Sequence, residues 1–220
     1  MKTKPILLTL TIFALFSFGS LRNATMADYT VAEALEATTQ VASSTSATHD
    51  EGVVINGVRW ATRNVDAPGT FAPYPESPGM FFQWNRRKGW NATDRYVEGW
   101  DNSTPTGTKW YAENDPCPAG WRVPTREELQ SLYDSGSAWV IFNEIGGLLF
   151  GINPNQFFLP ATGARSNLDG TISRIGVTGT YWSSSGESNV FGFGLEFNNS
   201  EGVMFGFGRA IGLSIRCVAK

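Results

Sequence analysis

The last forty residues of the chain alternate between apolar positions and polar or glycine positions, a pattern typical of half-buried β-strands. Over residues 191–197, phenylalanine or leucine occupies every second position, and glycine fills most of the others. A turn over residues 198–202 precedes a second alternating run at 203–207. The runs predict an antiparallel β-meander. Glycines opposite phenylalanines indicate flat outer faces, or close approach by another backbone.

The alternation continues into a predicted third strand near the end of the chain. Leu213, Ile215 and Cys217 would form its inner face, and Ser214 and Arg216 would lie outside. Elsewhere, β-branched runs on both sides of an Asn-Gly pair predict a hairpin over residues 53–60. Further predicted elements are a proline-rich loop at 64–78, a short strand at 79–84, a buried strand at 157–163 and a hairpin turn at 168–171.

A helix is predicted from Thr125 to Gly136. Thr125 and Glu128 have the spacing of a capping box, in which each side chain accepts a hydrogen bond from the other residue's backbone N–H. Glu127 and Glu128 also suit the positive end of the helix dipole. They could instead be a catalytic acid pair, but neighbours on a helix point about 100 degrees apart. Capping accounts for them without catalysis. A helix over residues 138–150 is doubtful because of its paired glycines.

Residues 85–114 hold three tryptophans and two tyrosines among polar residues and glycine, with no persistent period. This long loop is either a binding surface or a segment held to the core by its own rings. The tendency of tryptophan to be buried favours the second interpretation. If the loop binds a ligand, the candidate contacts, which include residues outside it, are Trp84, Trp90, Asn91, Trp100, Arg165 and Trp182.

The N-terminal residues have the pattern of an export signal. Residues 1–27 combine early lysines, an apolar run at 6–18 and small residues for cleavage. That run is shorter than the roughly 20 residues that span a membrane, so we expect no membrane insertion after cleavage. Residues 28–51, rich in Ala, Ser and Thr, predict a flexible spacer, although a short docked helix is an alternative. The folded domain is predicted over residues 52–220.

The chain has two cysteines, Cys117 and Cys217. In an exported protein they predict one disulfide, and two buried thiols are the alternative. Two cysteines and one histidine, His49, cannot complete a tetrahedral zinc site, so we expect neither a metal nor a cofactor.

The net charge of −3 and the scarcity of basic clusters argue against nucleic acid as a partner.

Four segments of the sequence follow one another in a distinctive order. They are DPCPxGWRVPTxxEL at 115–129, LPATGxRS at 159–166, GxYWSSS at 179–185 and GLSIRCV at 212–218. Together they resemble the Fibrobacter succinogenes major paralogous domain, over roughly residues 53–220. The resemblance implies a secreted or cell-surface protein of a Bacteroidetes or Fibrobacter bacterium. That family has no established activity to carry over.

A weaker resemblance concerns the fold. WRVPT before a capped helix and IRCV near the end of the chain are similar to formylglycine-generating enzymes and other C-type-lectin-like domains. This implies an irregular α+β domain with a C-terminal antiparallel meander, one or two short helices and long loops. The late cysteine pair of those enzymes and the Glu-Pro-Asn and Trp-Asn-Asp motifs of the lectins are missing, so neither activity carries over.

Three functions follow from these observations. The first is a non-catalytic binding module that recognises an extracellular glycan or surface protein through the aromatic loop. The second is a structural subunit of a surface appendage or assembly, in which residues 198–202 could take part. The third is a glycan-active enzyme, which would need a carboxylate pair. Its candidate acids are Asp101, Glu113, Glu187 and Glu196.

Overall fold

The computed structural model describes residues 46–220, so the predicted signal at 1–27 and residues 28–45 of the predicted spacer lie outside it. The end of the predicted spacer is part of the domain. Asp50 is buried and accepts hydrogen bonds from the backbone N–H of Thr62 and from the Arg63 side chain. These bonds hold Asp50 to the loop that follows β2, Val58–Trp60.

Residues 46–220 form a mostly β structure with one short α-helix, and every strand pair within its sheets is antiparallel. The first sheet has the order β1–β2–β15–β5, with β1 Val53–Ile55, β2 Val58–Trp60, β15 Val218–Ala219 and β5 Trp121–Arg122. The second has the order β10–β9–β14–β3–β4, with β10 Ile172–Ser173, β9 Ala164–Arg165, β14 Gly212–Leu213, β3 Phe81–Gln83 and β4 Gly89–Trp90. The third contains β11 Gly179–Gly186, β12 Phe191–Phe197 and β13 Gly202–Gly208, and the fourth contains β6 Ser137–Phe142, β7 Ile145–Ile152 and β8 Asn155–Pro160, each in chain order.

The helix, α1, spans Arg126–Asp134 and has the predicted capping box. Thr125 Oγ1 accepts from Glu128 N–H at 3.2 Å, and the Glu128 carboxylate accepts from Thr125 N–H at 2.7 Å. Arg122 adds two hydrogen bonds to the same carboxylate, at 2.6 and 2.8 Å. Leu129 and Leu132 are buried against the meander. Among residues 46–220 no helix is long and apolar enough to cross a membrane.

The disulfide between Cys117 and Cys217 is confirmed. It lies in a core cluster with Trp84, Trp121 and Trp182. Beside it, β15 enters the first sheet between β2 and β5, with Val218 opposite Trp60 and Arg122. The end of the chain is therefore joined to its middle by a covalent bond and to both neighbouring strands by hydrogen bonds.

The C-terminal meander contains the two predicted alternating runs, but the predicted third strand is wrong. Residues 213–217 do not continue the meander: β14 joins the second sheet and β15 the first. Ser214 and Arg216, expected outside, are fully buried. Arg216 lies in the core because its guanidinium donates to Asn64 Oδ1, Ala61 O and Phe158 O at 3.0–3.1 Å. Segments far apart in sequence supply these acceptors.

Candidate functional site

Two of the predicted ligand contacts, Trp84 and Trp182, are core residues. Both rings are 0% exposed, and each indole N–H donates to a backbone carbonyl: Trp84 to Ser183 at 3.1 Å and Trp182 to Phe82 at 2.7 Å. A ring without exposed surface cannot stack on a ligand. The prediction that these two residues contact a ligand is therefore corrected: they pack the core around the disulfide.

Trp90 and Trp100 form a pair within the aromatic loop. Their ring centroids are 4.8 Å apart, and Lys88 Nζ lies 3.8 Å from the centre of the Trp90 ring. Trp90 is only 5% exposed, whereas Trp100 is partly exposed and donates its indole N–H to Asn167 O. A Cβ added at Gly170 would lie 2.6 Å from the Trp100 ring. The pair therefore holds the loop to the β9–β10 turn.

Arg165 has a structural role next to this pair. It is fully buried, and its guanidinium donates to the backbone carbonyls of Asn91, Asp94 and Gly170. Burial lowers the pKa of Arg165, partly offset by the charge of Asp94. Asn91 in turn accepts from the backbone N–H groups of Thr93 and Asp94 through Oδ1. The structure thus brings together Trp90, Asn91, Trp100 and Arg165, mainly as an anchor for the loop.

This anchored loop presents Tyr96, which was not among the predicted contacts. Its side chain is 65% exposed, and the Arg95 guanidinium lies 5.6 Å from its ring centre. The backbone beneath it is fixed because Ile172 N–H donates to Arg95 O at 3.1 Å. The signal available in sequence was the polar and charged surroundings of Tyr96, which differ from those of the buried tryptophans.

A second exposed feature is the free side of β13. Within residues 46–220 this strand pairs with β12 alone. Arg209 N–H donates to Val190 O in continuation of the β12–β13 register. Hydrogen-bonded positions alternate along an antiparallel pair, so odd-numbered residues of β13 direct their N–H and C=O groups to β12. Met204 and Gly206 therefore direct theirs away from the sheet.

The orientation of β12 agrees with this assignment. Phe193, which lies opposite Gly206, has its carbonyl on the β11 side, where it accepts from Ser183 Oγ at 2.8 Å. Phe193 therefore directs no hydrogen bond towards Gly206. The backbone groups of Met204 and Gly206 are available to a further strand.

The free edge is also apolar. Val203 is 53% exposed and Phe205 57%, and they lie on the same face of the sheet as the buried Phe207, whose ring contacts Phe205 at 5.4 Å between centroids. Residues 202–208 include no charged residue and no proline. Strands at sheet edges are usually protected by such residues. We define the β13 edge as residues 202–208; the predicted 198–202 turn adjoins it.

The four acids considered as a possible catalytic pair lie in separate environments. Asp101 contacts Arg86 and accepts from Ser103, and the Ser103 bonds are the main reason that its pKa is lowered. Glu196 lies 4.0 Å from Arg174, and the Glu187 carboxylate lies over Gly206. Glu113 lies on an exposed 3-10 turn, Ala112–Asn114. The described residues contain no cluster of three or more His, Cys, Asp or Glu side chains arranged for a metal ion.

One surface depression of about 350 Å³ lies beside α1, away from all the predicted contacts. It is lined by Asn56, Arg126, Glu127, Gln130, Ser131 and Asp134. All six of these residues are polar or charged.

The chain matches no protein-family model, and no curated protein and no solved structure shows significant similarity to it.

Proposed function

We propose that this chain is a non-catalytic, exported assembly module that binds other polypeptides by accepting a β-strand at the β13 edge. The observation that carries the proposal is the free edge of β13, a strand with no charged residue of its own, where the backbone groups of Met204 and Gly206 point outwards. An added strand would satisfy these groups, and Val203 and Phe205 would give it an apolar face. Strand addition is a recurrent mode of peptide recognition.

Two further features support an exported assembly module. The disulfide is a bond that persists in oxidising compartments, and the sequence motifs resemble a domain of exported bacterial proteins. Burial of Trp84 and Trp182 favours the assembly role over recognition by a tryptophan-lined surface. In this proposal the irregular domain, similar in kind to C-type-lectin-like domains, is a scaffold for the meander.

A peptide library tests strand addition without assuming the partner. The full chain at low concentration would be panned against random extended peptides, and the enriched peptides tested on Met204→Pro and Met204→Ala. Proline removes an outward N–H without removing a bond to β12, whereas alanine shortens the side chain and keeps the N–H. We expect peptides with alternating apolar residues that bind the wild type and Met204→Ala but not Met204→Pro. Failure to enrich any such peptide would contradict the proposal.

A second candidate function, glycan recognition, is favoured by Tyr96 alone. An exposed ring on a fixed backbone can stack on the C–H face of a sugar, and Asn91 and Asp94 lie on the same loop with polar side chains. Glycan-array binding that is lost in Tyr96→Ala and kept in Tyr74→Ala would support it. Tyr74 is a suitable control because it is 53% exposed elsewhere on the surface.

A further inference from the structure

We infer that the strand accepted at the β13 edge is β13 of a second copy of this chain, paired antiparallel about a two-fold axis at Phe205. The inference rests on the proposed function and names its partner. Six strands would then form one continuous sheet, with the two copies of β13 at its centre. Such an interface is isologous, because each copy contributes the same residues.

The side-chain pattern of β13 is self-complementary about Phe205. Reversing the strand around this residue places Phe205 opposite the partner's Phe205 and Val203 opposite the partner's Phe207. It also places Met204 opposite the partner's Gly206 and glycine opposite glycine at the two ends. One face of the joined strands is therefore apolar throughout. On the other face, Met204 of each copy lies opposite a glycine over which the Glu187 carboxylate lies. Aromatic pairs and aromatic–β-branched pairs stabilise neighbouring strands.

The backbone orientation fits the same register. Phe205 directs its own N–H and C=O to β12, so the two Phe205 residues would meet at a non-hydrogen-bonded position, where side chains approach most closely. Met204 and the partner's Gly206 would then exchange two hydrogen bonds, and the symmetry repeats this ring on the other side of the axis. The groups that lack a partner within the described residues are those that this register uses.

The β12–β13 pair within one copy already places large residues opposite glycines, as the proposed register does for Met204 and Gly206. Phe193 lies opposite Gly206, and Phe205 opposite Gly194, so large residues face glycines across the pair. The outer strand β6 lacks the symmetry, because reversal about its middle places Ser137 opposite Phe142. Ile141 on β6 is nonetheless 65% exposed, which makes this strand the natural control.

Opposite charges at position 205 test the register directly. Sedimentation of the wild-type full chain from about 1 μM to about 1 mM covers the range expected for a small interface. Phe205→Lys and Phe205→Glu would each place like charges opposite one another across the axis, and we expect at least about tenfold weaker self-association in each. An equimolar mixture of the two variants should recover the dimer, because lysine then faces glutamate.

The control variant is Ile141→Lys, which adds the same charge to an exposed apolar position on another outer strand and should leave the dimer unchanged. Equal melting temperatures would verify that all variants fold. A wild type that stays monomeric throughout the range would overturn the inference, as would a mixture that does not associate. If edge-dependent library peptides still bind in that case, the proposed strand addition stands and only the partner is wrong. If neither occurs, both proposals fail.

Discussion

The Arg209 guanidinium lies over the face of Trp84, with its central carbon 4.0 Å from the ring centroid. The same group donates to the carbonyls of Pro105 and Gly107 in the aromatic loop, of Ser188 in the β11–β12 turn and of Phe191 at the start of β12. One buried side chain thus joins the long loop, the core and the segment that follows β13. Burial lowers the pKa of Arg209, and the carbonyls compensate for the desolvation of its charge.

Arg209→Met is expected to lower the free energy of unfolding by about 3 kcal/mol, because several buried carbonyls would lose their donor while the volume stays similar. Denaturant unfolding of the purified protein measures this change. Arg95→Met is the control, since Arg95 is exposed, and a change within about 0.5 kcal/mol is expected there. Equal effects at the two positions would show that the carbonyl contacts of Arg209 contribute little.

Replacing both Cys117 and Cys217 by serine is expected to destabilise the protein by up to about 4.7 kcal/mol, the loop-entropy value for a loop of this size. The two residues are 100 positions apart, so the unfolded chain gains much freedom when the bond is absent. For a chain of this length the melting temperature should fall by about 10 °C. The melting temperature of the wild type measured with reductant should approach that of the double variant measured without reductant. An unchanged melting temperature in the double variant would contradict a stabilising bond.

Local signals in the sequence predicted much of the fold. Asn56 and Gly57 adopt left-handed φ values of 49° and 79°, as the Asn-Gly hairpin turn requires. The capping box, the disulfide and the two alternating runs of the meander were also present as short patterns. Each of these features involves residue types that favour one backbone geometry, as in the turn and the cap, or one bonding partner, as in the disulfide.

The β6–β7 hairpin was not predicted because its glycines have a packing role. Its two-residue turn is Asn143–Glu144, with φ values of 47° and 68° and no glycine. Gly147 lies within β7, where an added Cβ would be 2.5 Å from Leu159 O and from the Phe158 ring. A glycine chosen for close approach cannot be distinguished from a turn glycine by sequence pattern alone.

The candidate site could be predicted only in part, because exposure depends on tertiary packing. Trp100 and Tyr96 both have polar or charged neighbours in the sequence, yet one is part of a loop anchor and the other lies on open surface. Likewise, the free edge of β13 depends on β14 joining the second sheet. No local pattern shows which side of a strand remains without a neighbour.

Gly192→Ala is expected to destabilise the protein by about 1–3 kcal/mol, because its Cβ would lie 2.5 Å from Cδ1 of the buried Trp84. Gly208→Ala in the neighbouring strand is the matched control. Its Cβ would meet only Ile211, at 3.9 Å, so alanine should be tolerated there. Thermal unfolding of the two variants distinguishes them. Similar melting temperatures would indicate that Trp84 moves easily, in conflict with a closely packed core.

Glu128 makes the stability of the protein sensitive to acid. Burial alone would raise its pKa, but hydrogen bonds from Arg122 and Thr125 and the Arg122 charge hold it below its ordinary value of 4.5. The ionised carboxylate therefore stabilises the native state fully above about pH 4.5, and this stabilisation is lost as the pH falls through the folded-state pKa. In urea titrations at a series of pH values, Glu128→Gln should unfold about 1–2 kcal/mol more easily at neutral pH and lose less stability in acid. Glu127→Gln, in the same turn but exposed, should behave as the wild type, and wild-type acid sensitivity in Glu128→Gln would disprove the assignment.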